Sequence, residues 1–200
     1  PAALSWSPDS TQLAFLARIP AKPAWSIRMP AAPAGAKWAD PPVVETRLKW
    51  RADGIGGIGQ RPLGFTHLFV VPATGGAPRQ ITSGDYEHGG EPAWMPDGRG
   101  ILLHAARRPD ADTTLYPDDI WRFPLDGAAP VQLTRGNGPE QFPVISPNGR
   151  HIAFLGFTDK GNAHHTTNLY VMNADGSGLR QLARELDRNL SSPRWEASSQ

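Results

Sequence analysis

Short apolar runs punctuate this chain, each bounded by Pro, Gly, Asp or Asn. Gln12-Leu13-Ala14-Phe15-Leu16, His67-Leu68-Phe69-Val70-Val71, Ile101-Leu102-Leu103, Ile152-Ala153-Phe154-Leu155 and Leu169-Tyr170-Val171-Met172 have strand length and are rich in β-branched and aromatic residues. The pattern predicts many short strands joined by turns. The runs fall into a repeat. Leu4-Ser5-Trp6-Ser7-Pro8-Asp9 returns as Pro92-Ala93-Trp94-Met95-Pro96-Asp97-Gly98 and as Pro143-Val144-Ile145-Ser146-Pro147-Asn148-Gly149, and Ser192-Pro193-Arg194-Trp195 begins it again. Each opening strand leads through a Pro-Asp or Pro-Asn turn, in which Pro presets φ and Asp, Asn or Gly accepts left-handed geometry, into a second strand.

The other half of each unit repeats as well. His67–Val71, Asp119–Phe123 and Asn168–Met172 precede Gly-containing turns and the closing segments Arg79-Gln80-Ile81-Thr82, Val131-Gln132-Leu133-Thr134 and Arg180-Gln181-Leu182-Ala183. Pro92 to Pro143 is 51 residues and Pro143 to Pro193 is 50. Four short antiparallel strands in about 50 residues describe a β-propeller blade, so the expected fold is all-β, with WD40-like or TolB-like blades in an incomplete ring. The expected units are a blade at 1–90 with an insertion at 20–65, blades at 91–141 and 142–191, and the start of another at 192–200. Since closed propellers have about 4–8 blades, further blades are expected outside this chain, in the same polypeptide or in a second copy. Within the insertion, Val43–Trp50 alternates as a strand or ribbon would, and Arg51–Gly59 reads as a flexible Gly-rich tract.

Composition supports this reading. Gly 21 and Pro 21 in 200 residues are too many helix breakers for an all-α fold. A hydrophobic share of 39% suffices for a core. Lys+Arg 20 against Asp+Glu 19 leaves a net charge of +1, which argues against a nucleic-acid or polybasic membrane partner. No apolar run approaches a membrane span. The 16 Arg against 4 Lys carry compositional bias only. With Cys 0, neither a disulfide nor a thiolate site exists in these residues.

Catalytic signatures are sparse. No Gly-x-Ser-x-Gly elbow and no His-Glu-x-x-His appears, so no catalytic residue, metal ligand or cofactor is assigned. His164-His165 reads as a solvated loop pair. Asp110, Asp112, Asp118 and Asp119 cluster without the spacing of a calcium loop. Trp6, Trp94, Trp121 and Trp195 occupy repeat positions and are expected in blade cores. The insertion is the main departure from the repeat and the best place for function. Its Arg47 and Arg51 suit bidentate binding of a carboxylate or of carbonyl oxygens, with Asp53 beside them; the alternative is pairing with the neighbouring acids Glu45 and Asp53.

The repeat resembles that of TolB-like proteins and of prolyl-oligopeptidase-type serine peptidases. Val44-Glu45-Thr46-Arg47-Leu48-Lys49-Trp50-Arg51-Ala52-Asp53-Gly54 followed by His67–Val71, with Gly75–Thr82 and Leu186-Asp187-Arg188, is similar to the propeller of acylaminoacyl-peptidase-like enzymes. That resemblance implies a propeller that gates access to, and helps position short peptides over, an α/β-hydrolase domain of the same polypeptide bearing a Ser-Asp-His triad. It marks Arg47, Arg51 and Asp53 as substrate-side contacts, makes a homo-oligomer an option, and carries an expectation of a cytoplasmic enzyme. The hydrolase domain and its triad lie outside these 200 residues. The other reading is a non-enzymatic TolB-like propeller acting as a protein-interaction module.

Overall fold

The structure is a computed structural model that describes residues 2–21, 28–39, 47–49, 51–52, 59–60, 62–161 and 164–196. It is all-β, with three four-stranded antiparallel sheets that follow one another along the chain. The first holds β1 (Ala2–Trp6), β2 (Gln12–Ile19), β5 (Phe65–Pro72) and β6 (Arg79–Gln80). The second holds β7 (Glu87–Trp94), β8 (Gly100–Ala106), β9 (Asp119–Pro124) and β10 (Val131–Gln132). The third holds β11 (Glu140–Ile145), β12 (His151–Gly156), β13 (Asn168–Asn173) and β14 (Arg180–Leu182). A ribbon of β3 (Arg51–Ala52) and β4 (Gly59–Gln60) lies within the insertion between β2 and β5.

Two recurring polar devices explain why the repeat has its residue types. At the first turn, Asp9 Oδ1 accepts from Ser7 Oγ (2.6 Å) and from Thr11 N (3.0 Å), while Ser7 Oγ accepts from Gln12 N (2.9 Å). Ser146 and Asn148 repeat this at 2.7 Å, with His151 N donating to Ser146 Oγ at 2.9 Å. In the middle unit Met95 has no hydroxyl, and Asp97 holds the turn through Arg99 N at 2.9 Å. Ser10 takes φ +59° where Gly98 and Gly149 take +68° and +72°. At the closing strand, Thr82 Oγ1 accepts from Leu68 N (2.9 Å) and Thr134 Oγ1 from Ile120 N (2.8 Å). The threonine thus extends the ladder past the point where the short strand ends.

The core lies between the sheets. Strand β8 is buried along almost its whole length, as expected of a strand covered on both faces. Ile101, Leu103 and Ala105 join Ala14, Leu16, Leu68, Val70 and Phe123 between the first and second sheets. Leu102 joins Ile120, Ile152, Phe154 and Met172 between the second and third. Tryptophan also joins the first two sheets, and ties the segment after β14 to the third. Trp94 Nε1 donates to Ser5 O at 3.1 Å, and Trp195 Nε1 donates to Val144 O at the same distance.

Three local expectations need correction. Trp94 is core at 6% exposure, but Trp6 is 58% exposed, because no sheet packs on its side of β1 among the described residues. In the insertion, Leu48 and Lys49 form a turn rather than strand; Val43–Glu45, Thr46 and Trp50 lie outside the described residues. The tract after Trp50 is paired at both ends, Arg51 with Gln60 and Ala52 with Gly59, instead of being loose throughout. No helix among the described residues is long and apolar enough to cross a membrane.

Candidate functional site

The antiparallel registers bring the end of each second strand beside the start of each third strand. The insertion, the 107–118 loop and the 157–167 loop therefore emerge at one end of the sheets. Ionisable groups gather there in two seams.

The seam between the first and second sheets is built on Glu87 and His88. Glu87 pairs with Arg18 at 3.0 Å and accepts from Thr66 N at 3.0 Å. Arg18 also donates to Pro62 O (2.8 Å) and Gly64 O (2.7 Å), tying down the exit from the insertion. His88 Nδ1 lies 2.8 Å from Thr66 O, and Arg107 Nη1 lies 3.2 Å from His88 Nε2. A carbonyl only accepts and a guanidinium only donates, so His88 is neutral with its proton on Nδ1. Burial, opposed only in part by the Thr66 carbonyl, lowers its pKa to about 4. Arg107 stacks on Tyr86, 4.3 Å from the ring centroid.

The seam between the second and third sheets is acidic. Asp119 is fully buried at the start of β9, and Glu140 is buried at the start of β11. Asp119 Oδ2 accepts from Gln132 Nε2 at 2.8 Å, whereas Oδ1 meets no N–H or hydroxyl donor among the described residues. Burial first and the charge of Glu140 second push Asp119 up to about 7, and burial raises Glu140 too.

The four clustered aspartates thus do different work. Asp110 accepts from Thr114 Oγ1 (2.8 Å) and pairs with Arg108 (3.2 Å) within its own loop. Asp112 accepts from Leu48 N (2.7 Å) and Lys49 N (3.3 Å), clasping the insertion. Asp118 accepts from Gln141 Nε2 at 2.6 Å. Among the described residues no group of three His, Cys, Asp or Glu side chains is placed to hold a metal ion.

Of the candidate residues, Arg47 lies 3.8 Å from Asp112 through Nε and packs over Phe65 at 4.6 Å. Among the described residues its acidic partner is Asp112; Glu45 lies outside the described residues. Lys49 Nζ donates to Ala111 O (2.7 Å) and to Thr114 O on the same loop. Asp53 and the Arg51 side chain lie outside the described residues. His165, expected in solvent, instead stacks on Phe157 at 4.3 Å and pairs with Asp159 at 3.3 Å. Asp112→Ala should release the clasp: amide exchange at Leu48 and Lys49 rises roughly tenfold, while exchange in β8 and β12 stays unchanged. Unchanged exchange at Leu48 would remove Asp112 from that role.

A groove of about 1010 Å3 runs along the inner edges of the second and third sheets, lined by Trp94, Pro96, Phe142, Pro143, Pro147 and Trp195 among others. Its size suits a ligand of several residues. The inner strands carry a bulge at matching places: Ala2/Ser5, Gly89/Ala93 and Gln141/Val144. The extra residue takes left-handed backbone, φ +55° at Ala3, +85° at Gly90 and +55° at Phe142, and Ser192 repeats it at +51°.

No family profile matches the chain. Over 106 residues it is 39% identical to the Tol-Pal system protein TolB of Anaeromyxobacter dehalogenans strain 2CP-C, covering 52% of this chain and 21% of that protein. Over 106 residues it is 27% identical to the uncharacterized peptidase YuxL of Bacillus subtilis strain 168, covering 52% and 15%. In structure it matches the Pyrococcus horikoshii acylaminoacyl peptidase with a TM-score of 0.58 at 16% identity, over 95% of this chain and 26% of that one. The chain is a β-propeller segment of the kind that peptidases and TolB share. It spans between 15% and 36% of the length of the curated relatives it matches.

Sequence reading passed over both propeller seams. One signal lay in the repeat: His104 occupies the place of Leu16 and Leu155, an ionisable residue at an apolar repeat position.

Proposed function

We propose that this chain is the propeller portion of a serine peptidase of the acylaminoacyl-peptidase or oligopeptidase type. In that reading the propeller narrows access to an α/β-hydrolase domain of the same polypeptide. There a Ser-Asp-His triad and an oxyanion hole carry out acyl transfer on short peptides. The likeness in fold to an acylaminoacyl peptidase over 95% of the chain, with a TM-score of 0.58, is the observation that carries this reading. The Asp112 clasp supports it physically, since it holds the insertion on the loop-bearing end where a second domain can meet it. Arg47 then acts chiefly by positioning the insertion, and Arg51 and Asp53 are the proposed substrate-side contacts.

The test is labelling of the intact polypeptide with a serine-reactive fluorophosphonate, together with hydrolysis of peptides of increasing length. We expect labelling and a steep loss of turnover once the substrate is too large for the groove. If nothing labels, the TolB-like reading, a propeller that binds other proteins, takes its place; the 39% identity to TolB favours that alternative. In a labelled enzyme, Arg51→Ala should raise KM about tenfold or more. Unchanged KM and kcat on every peptide would withdraw Arg51 from the site.

A further inference from the structure

We propose that Phe142 is a specificity residue of the inner-strand groove, where its ring receives an apolar side chain of a short peptide; this rests on the peptidase reading above. The bulge in each inner strand needs one residue at positive φ. The other units take positive φ on small residues, Ala3 and Ser192 at the same repeat position and Gly90 one residue earlier, before Glu91, where the conformation is cheap or the side chain small. Phe142 is the exception, a bulky aromatic at φ +55°, where such residues are rare.

Packing does not account for it. The ring is 49% exposed, and its only aromatic neighbour among the described residues is His104, edge-on at 5.4 Å. His104 Nδ1 accepts from Phe142 N at 3.4 Å, so imidazole and backbone fix where the ring stands. Phe142 thus has an unfavourable backbone, half of its surface in water and a fixed direction into the groove. That combination belongs to a residue retained for what it touches rather than for what it stabilises.

The groove selects the ligand class. Its walls near Phe142 are proline and aromatic: Pro143, Trp94 and Trp195. Its charged lining side chains, among the described residues, are Glu91 and Arg194, one of each sign. A short peptide bearing an ammonium group, a carboxylate and an apolar side chain complements that lining in charge and in surface. A long polyanion or a purely aliphatic ligand does not.

The experiment uses the intact polypeptide and two variants, Phe142→Gly and Phe142→Ala. Three readouts are taken: melting temperature, fluorophosphonate labelling, and kcat/KM on tripeptide p-nitroanilides differing in one side chain (Ala, Leu or Phe). Expected are a melting temperature within about 3 °C of wild type, unchanged labelling, and kcat/KM lowered about tenfold for Leu and Phe peptides but not for Ala. A uniform loss on all three peptides with a large drop in melting temperature would show a structural residue and overturn the proposal. Unchanged side-chain preference would overturn it as well. If the wild-type polypeptide neither labels nor cleaves, the peptidase reading fails on its own. Binding of Ala-Phe-Ala, followed by tryptophan fluorescence, then decides on Phe142. Binding lost in Phe142→Gly upholds the contact, and no binding by wild type, or equal binding by both, ends it.

Discussion

At pH 8 the Asp119→Asn chain should melt about 5–10 °C above wild type, and the advantage should shrink towards zero near pH 4.5. The sign follows from proton counting. In the folded chain Asp119 holds its proton up to about pH 7, whereas its ordinary value is 3.8. Between those values the native state binds more protons than the unfolded state, so stability falls as pH rises through the window. Three pKa units are about 4 kcal/mol, a ceiling for a fully buried group. Asparagine keeps the shape and still accepts from Gln132. The buried histidines tilt the other way. His67, His88 and His104 all have lowered pKa values, with burial the chief cause. Their contribution is lost as pH falls from the ordinary 6.5 towards about 4 for His88. In wild type the two slopes oppose each other between pH 4.5 and 7. Asp119→Asn should show stability rising more steeply with pH than wild type, because the histidine slope is then opposed by Glu140 alone of the buried pair. Thermal denaturation at half-unit pH steps checks this, and a constant offset between the two chains would disprove the buried proton.

Trp94→Ala should cost about 3–5 kcal/mol, while Trp6→Ala, at the same place in the repeat, should cost under about 1 kcal/mol in the 200-residue chain. Trp94 is 6% exposed, lies in the core between the first two sheets, and donates to Ser5 O. Its removal leaves a large cavity and an unpaired carbonyl at once. Trp6 is 58% exposed and has little packing to lose. Denaturant midpoints measured with a common slope test both values. Equal losses would mean that Trp6 is covered in solution, by another blade or another copy. Trp94→Phe separates the two parts of the effect: it keeps most of the apolar surface and should lose about 1 kcal/mol with the indole hydrogen bond.

The blade architecture was legible because its polar devices are local. Ser7-Pro8-Asp9 and Ser146-Pro147-Asn148 close their turns with hydrogen bonds two to five residues apart, so the bonds leave a motif. Thr82 and Thr134 leave one as well, at matched distances from Leu68 and Ile120. The candidate site was far less legible. Asp112 clasps an amide 64 residues away, and Trp94 donates to a carbonyl 89 residues away. Such partners are chosen by how sheets stack, which no local spacing records. Trp6 shows the same limit from the other side: its repeat position is that of a core residue, but burial depends on a neighbour. The insertion was found as a departure in length, but a length says nothing of which acid meets Arg47.

The tryptophan links have a direction. Both links run the same way: the indole N–H of the later segment donates to a carbonyl of the inner strand before it, Trp94 to Ser5 and Trp195 to Val144. The two flanks of the array are therefore unlike, as plug and socket are unlike. Two copies meeting through these flanks would join head to tail, a heterologous contact that lacks a two-fold axis. Such a contact repeats until the accumulated rotation closes a ring, so stoichiometry is set by the angle between adjacent sheets rather than by the strength of any one contact. Charge or bulk placed on a single flank should stop growth at that flank and leave the other competent.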